Sequence, residues 1–124
     1  MLTFDEVAEL LDCIVDELPP KVFDKLNGGI NLSPDIKWST DISSSDYYVM
    51  GQYYVHPILG RLIYIYYGSF MAVYPDASIE ESKKHLVAIV KHELRHHLEN
   101  LAGVNDLEIE DALFVRRVLN KIRI

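Results

Sequence analysis

From the capping box Ser78-Ile79-Glu80-Glu81 to Gly103 the sequence carries one uninterrupted helical pattern, and every other element must be arranged around it. The start is sharp because the serine hydroxyl and the glutamate three residues on satisfy each other's backbone N–H groups. Glycine just past the last apolar position sets the stop. At about 100° per residue, with His92 as origin, Leu86, Val90, Leu94, His97 and Leu101 fall between about 120° and 200°. They form the stripe that must be buried. His85, His92, His96 and Glu99 fall between about −20° and 40°, nearly opposite.

His92-Glu93-Leu94-Arg95-His96 lies in the middle of that helix. Histidines four residues apart project from one face, one turn above the other, so both imidazoles can reach a single cation. Zn²⁺ accepts neutral imidazole nitrogens, and an i, i+4 pair is a rigid platform for it. Glu93 points about 100° around the helix, which lets it approach a water on the metal without ligating. That is where a general base belongs. Two histidines turned away from the apolar stripe suit the wall of a cleft better than a core.

The remaining composition narrows the setting. At 124 residues the chain has room for one domain. A formal net charge of −7 opposes sequence-independent binding to nucleic acid. Arg116, Arg117, Lys121 and Arg123 form a C-terminal basic cluster, read as complementing a helix dipole. No apolar run is long enough for a membrane span, and the start, Met1-Leu2-Thr3-Phe4-Asp5-Glu6, lacks the basic and apolar regions of a secretory signal. The single cysteine, Cys13, is expected to be a buried, inert thiol. These features place the protein in a reducing cytoplasm.

Thr3-Phe4-Asp5-Glu6 is another capping box, opening a helix that runs to Leu18 and is stopped by Pro19-Pro20. A short helix is expected over Lys21 to Leu26. A short strand is expected within Ile30 to Trp38, broken or edge-confined by Pro34. Asp41 to Asp46 reads as a polar loop. Tyr47 to Val55 and Arg61 to Tyr67 are rich in Tyr, Ile and Val and predict strands joined by a hairpin at His56 to Gly60. Phe70 to Tyr74 is expected as another short strand, and a last helix from about Leu107 to Ile122. Helices, then strands, then helices, rather than strict alternation, predict an α+β domain.

These residues resemble the small bacterial single-domain zincin-like metallopeptidases. The likeness covers most of the chain: Thr3-Phe4-Asp5-Glu6-Val7, Asn27-Gly28-Gly29-Ile30-Asn31, Tyr66-Tyr67-Gly68-Ser69-Phe70 and, most specifically, His92-Glu93-Leu94-Arg95-His96-His97-Leu98-Glu99. The resemblance implies one minimal zincin domain over residues 1–124, with a small, mostly antiparallel or mixed sheet packed on the long active-site helix. It also implies Zn²⁺ as cofactor and a predicted peptidase activity. Zincins with an aspartate ligand read H-E-x-x-H-x-x-G-x-x-D. In this chain Glu99 occupies the glycine position and Ala102 the aspartate position. The G-x-x-D spacing reappears as Gly103 and Asp106, about one helical turn further on. Asp106 is therefore the first candidate for third ligand, with Glu110 or Asp111 on the next helix, and Glu99, as rivals.

His97 falls in the apolar stripe and is expected to be core. His85 shares the face of His92 but sits two turns away, about 10 Å along the axis, too far for the same ion. Tyr67 and Tyr74 are candidates to donate to the oxyanion of a tetrahedral intermediate. The leading expectation is a zinc metallopeptidase hydrolysing a peptide or protein substrate, with His92, His96 and Asp106 on the metal and Glu93 as base. The alternative is a catalytically inactive zincin-fold module that binds a peptide or protein partner. A structural zinc site fits less well, because such sites close with four protein ligands, usually including cysteines.

Overall fold

A computed structural model of the chain describes residues 1–39, 47–104 and 109–121. The first helix, α1 (Phe4–Glu17), opens on the expected box: the Thr3 hydroxyl accepts from the Glu6 N–H while the Glu6 carboxylate accepts from the Thr3 N–H. Its buried face is Val7, Leu11 and Ile14. Cys13 is exposed, contrary to expectation. It lies about 240° around the helix from Val7, off the buried stripe. The helix expected over Lys21 to Leu26 is only a 3-10 turn, Pro20–Phe23. Lys25 adopts φ 64, which no right-handed helix accommodates.

Where one short strand is expected within Ile30 to Trp38 there are two, one on each side of the break at Pro34: β1 (Gly29–Ser33) and β2 (Lys37–Trp38). The next three are β3 (Tyr48–Val49), β4 (Gly51–His56) and β5 (Gly60–Tyr66). The main sheet has the order β1-β5-β4, with β1 parallel to β5 and β4 antiparallel to it. Ile30 and Tyr53 both sit opposite Ile63 across this sheet. The expected strand from Tyr47 to Val55 changes partner at Met50, since β3 pairs with β2 in a separate two-stranded ribbon while β4 joins β5. Met50 marks the change: its carbonyl accepts the Tyr66 N–H at 2.9 Å. The polar loop anticipated from Asp41 to Asp46 lies outside the described residues.

The strand expected from Phe70 to Tyr74 is instead part of α2 (Tyr67–Val73). Tertiary contacts override the aromatic signal here. Ser69, fully buried, accepts the Lys37 N–H at 2.7 Å and donates to the Lys37 carbonyl at 3.1 Å, tying the turn to β2. Gly68 lies so close to the Asp35 carbonyl that an added Cβ would sit 2.8 Å from it. The long helix α3 (Ile79–Gly103) starts on the Ser78–Glu81 box as expected, and α4 (Ile109–Lys121) follows. The described residues thus form an α+β arrangement of a small mixed sheet and four α-helices.

The stripe drawn from sequence on α3 is the buried one: Leu86, Val90, Leu94, His97 and Leu101 are all at most 3% exposed. Leu86, Val90 and Leu94 of this stripe meet Val7, Leu11 and Ile14 of α1, Ile63 and Ile65 of β5, Phe70 and Met71 of α2, and Val115 and Leu119 of α4 in one core. Among the described residues no helix is long and apolar enough to cross a membrane.

Candidate metal centre

The face of α3 opposite that core lies beside β4, and β4 comes unusually close. A Cβ added to Gly51 would stand 2.6 Å from Ile89 Cγ2 and 3.2 Å from Glu93 Oε2. Only a residue without a side chain lets the strand pass over the helix at this height. The contact buries Glu93 to 5% exposure, while His92 and His96 on either side remain open to solvent.

The ligand atoms of His92, Glu93 and His96 all lie within 4.8 Å of one another. The two histidine Nε2 atoms face each other at 3.1 Å. Two nitrogens each about 2.05 Å from a tetrahedral ion stand about 3.3 Å apart, so the pair fits zinc with little adjustment. Burial pushes the Glu93 carboxyl above its usual pKa; the nearby His96 and an accepted hydrogen bond from the Tyr53 backbone N–H pull the other way. The result is a desolvated, oriented carboxyl group with raised proton affinity beside a bidentate imidazole platform.

Neighbouring residues hold these groups in place. Glu99 approaches the far nitrogen of His96, with Oε2 at 3.6 Å from Nδ1. A carboxylate there favours the tautomer whose Nε2 lone pair is free for a metal. Directly behind, His97 is 2% exposed. Its Nε2–H donates to the Asp24 carbonyl at 2.7 Å, since a carbonyl can only accept, and its Nδ1 therefore accepts from the Tyr53 hydroxyl at 2.8 Å. Burial pulls the His97 pKa below the ordinary histidine value, against the opposing effect of the Asp24 carbonyl. Tyr53 thus contacts both Glu93, through its N–H, and His97, through its hydroxyl.

The candidates for third ligand lie in different places. Asp106 lies outside the described residues. Asp111 is engaged elsewhere, 2.7 Å from Lys21 Nζ. The hairpin around Gly103 does bring α4 back along α3, but onto the core stripe: Val115 packs in one cluster with Leu94 and Leu98, and Arg95 donates to Asn120 Oδ1. Glu110 therefore starts a helix on the opposite side from the histidine pair, and it is exposed. Glu99 contacts Nδ1 of His96 and is absent from the three-residue group. Of the two tyrosines, Tyr67 is committed to the N-terminus, donating to the Leu2 carbonyl at 2.6 Å. Tyr74 does reach the site, where it lines a cavity with His92 and Glu93 and stacks on His85 at 3.7 Å between ring centroids.

Two cavities meet at the group. One, of about 670 Å³, opens toward the start of α3 between Tyr48, Val49, Met50, Tyr74, Ala88 and Ile89. The other, of about 610 Å³, opens toward its end between Gln52, Tyr53, Val55, Glu99 and Asn100. Gly51, His92 and Glu93 line both, so a single groove follows β4 across the face that carries His92, Glu93 and His96. Gly51 and Tyr53 do not stand out in the sequence. A lone glycine at the head of an aromatic strand is the available signal for the first.

Fold and site together define an α+β protein with a helix-borne His-Glu-His group. No family model matches the sequence, and no curated protein matches it. Among solved structures, a conserved hypothetical protein from Thermus thermophilus is similar, with 30% identity, a TM-score of 0.70, and coverage of 82% of this chain and 98% of that one. At that identity and coverage, this chain belongs to the same family as the Thermus protein.

Proposed function

We propose that the protein is a zinc-dependent peptidase of minimal zincin architecture. One observation carries the reading: two imidazole Nε2 atoms 3.1 Å apart, next to a carboxylate that is only 5% exposed. Neither a solvated helix face nor a structural metal site calls for a desolvated carboxylate held by a strand N–H. His92 and His96 would hold the ion, with Asp106 as the third protein ligand. Bound there, Zn²⁺ supplies Lewis acidity toward the scissile carbonyl and lowers the pKa of a water. Glu93 takes a proton from the attacking water at its carboxylate and later delivers it to the leaving amine, a role its raised pKa suits. Tyr53 keeps that carboxylate aimed, and Glu99 keeps His96 in the metal-binding tautomer. Among the described residues β4 pairs with β5 on one side only, leaving an edge along which an extended peptide can add as a strand.

The test combines metal analysis with cleavage of a peptide library. Wild type should hold one equivalent of zinc after dialysis, His92→Ala and Asp106→Ala should lose it, and Glu93→Gln should keep zinc but lose cleavage. Zinc retained by Asp106→Ala would move the third ligand elsewhere. A Glu93→Gln protein that cleaved as fast as wild type would sink the mechanism. Zinc binding without cleavage would leave a peptide-binding module.

A further inference from the structure

Side chains of β4 alternate between the two faces of the sheet. Gly51 and Tyr53 face α3, where they meet Glu93 and His97. Gln52 and Tyr54 project from the other face, beside Tyr64 and Tyr66 of β5. There, three donors converge on one atom. The Lys37 ammonium, the Tyr54 hydroxyl at 2.9 Å and the Tyr66 hydroxyl at 3.2 Å all donate to Gln52 Oε1. Lys37 also donates to the Tyr54 oxygen at 2.8 Å. An ammonium can only donate, so the amide must present its oxygen here.

That oxygen has two lone pairs for three donors, one of them charged. A carboxylate offers about four acceptor positions on two oxygens, and the hydrogen bonds it accepts are roughly twice as strong as those between neutral groups. The donors are also fixed in advance, which lowers the cost of binding. Buried Ser69 grips the Lys37 backbone at both its N–H and its carbonyl. The Tyr54 and Tyr66 rings each stand 5.4 Å from Lys37 Nζ, and the Tyr64 ring lies 5.7 and 6.1 Å from theirs. Lys37, Gln52 and Tyr54 are only half-buried, which leaves the cluster within reach of solvent.

We propose that Lys37, Tyr54 and Tyr66 form a carboxylate-binding site on the sheet face turned away from the candidate metal centre, with the Gln52 amide as its placeholder. The site does not depend on the peptidase reading. A strand added along the edge of β4 would place alternate side chains on this face. The carboxylate therefore comes from an acidic residue of such a peptide or from a small free acid.

Two-dimensional NMR of the whole chain, titrated with sodium acetate at constant ionic strength, tests this. Signals of Lys37, Gln52 and Tyr54 should move saturably with acetate and not with chloride. Gln52→Ala removes the placeholder and should tighten acetate binding by about fivefold, the worth of one net hydrogen bond. Gln52→Glu supplies its own carboxylate and Lys37→Met removes the charge, so both should abolish the response while the rest of the spectrum stays that of the folded chain. Acetate binding that is no tighter in Gln52→Ala, or that survives Lys37→Met, overturns the site. So does the lack of any saturable shift in both wild type and Gln52→Ala. Blocked pentapeptides then identify the source. If one with a central Glu binds at least about tenfold more tightly than acetate and than its Gln counterpart, the carboxylate belongs to a peptide. If the Glu peptide binds no better than acetate, the ligand is a small free acid.

Discussion

Substituting Gly51 with alanine exchanges a single hydrogen for a methyl group, yet it acts on the point where strand and helix are closest. The new Cβ would stand 2.6 Å from Ile89 Cγ2. Carbon atoms in contact prefer about 3.5–4.0 Å, so β4 and α3 must separate by about 1 Å or Ile89 must leave its rotamer. Overpacking of this kind costs about 1–3 kcal/mol. For a domain of this size each kcal/mol lowers Tm by roughly 4 °C, giving an expected loss of about 4–12 °C. The same movement shifts Glu93, whose Oε2 and Cγ lie 3.2 and 3.3 Å from the added carbon. If Glu93 is the general base proposed above, a 1 Å error in its position costs about a hundredfold in rate. The three atoms nearest the added Cβ belong to Ile89 and Glu93 rather than to His92 or His96, so on the zinc reading metal stoichiometry should hold. The decisive measurement is a thermal double-mutant cycle with Ile89→Ala, which removes Cγ2. The two changes should be coupled by about 1 kcal/mol or more, the double variant recovering part of the Gly51→Ala loss. A Gly51→Ala protein as stable as wild type, or strict additivity in the cycle, would refute the close-approach argument.

Glu99→Gln should weaken zinc binding by about tenfold through loss of the carboxylate on His96 Nδ1; competition with a zinc chelator measures it, and unchanged affinity would show that the 3.6 Å contact does not orient the ring. For His97 the folded pKa is lower than the unfolded value of 6.5, so the unfolded state binds the proton first. The stability it contributes is complete above that value and drains away as pH falls from 6.5 toward the folded pKa. In metal-free protein Glu93, raised rather than lowered, works in the opposite sense, so the comparison must be with His97→Gln, whose denaturant midpoint should vary less with pH just below 6.5. Ser82 is fully buried with a hydroxyl that has no hydrogen-bond partner among the described residues, so Ser82→Ala should raise stability by about 1 kcal/mol in urea titration; a loss would point to a bond the hydroxyl makes in solution.

What the sequence discloses follows the range of the interactions involved. The ends of α3, its core stripe and the shared face of His92 and His96 depend on residues three or four apart, and each reads directly from spacing. So does the break at Pro34, which acts on its own backbone. The strand that changes partner at Met50 does not, because Tyr47 to Val55 keeps one strand-like composition throughout while its two halves pair with segments far away in sequence. α2 is hidden for the same reason: Ser69 is set by β2, 32 residues earlier. Within the site, the motif identifies the histidines and Glu93. The burial that perturbs Glu93 comes from Gly51 and Tyr53, on a strand whose register only the folded chain establishes. Cys13 departs from expectation because an apolar neighbourhood in sequence is not a buried face; the angle around α1 decides it.

The parallel pairing of β1 with β5 also has a bearing on how the chain assembles. Every pair in that ladder joins residues 33 apart, whereas β4 and β5 meet through a tight turn at Gly60. Closing the longer loop costs more chain entropy before it gains any contact. The hairpin and the helix behind it can therefore form early, with the N-terminal third arriving afterwards to cover the open side of β5. Until it does, a strand carrying Leu62, Ile63 and Ile65 is an unguarded template for pairing with a neighbouring molecule. On a ribosome the order of synthesis runs the other way, delivering β1 first. Refolding from denaturant at high protein concentration is thus where this topology is most exposed to aggregation.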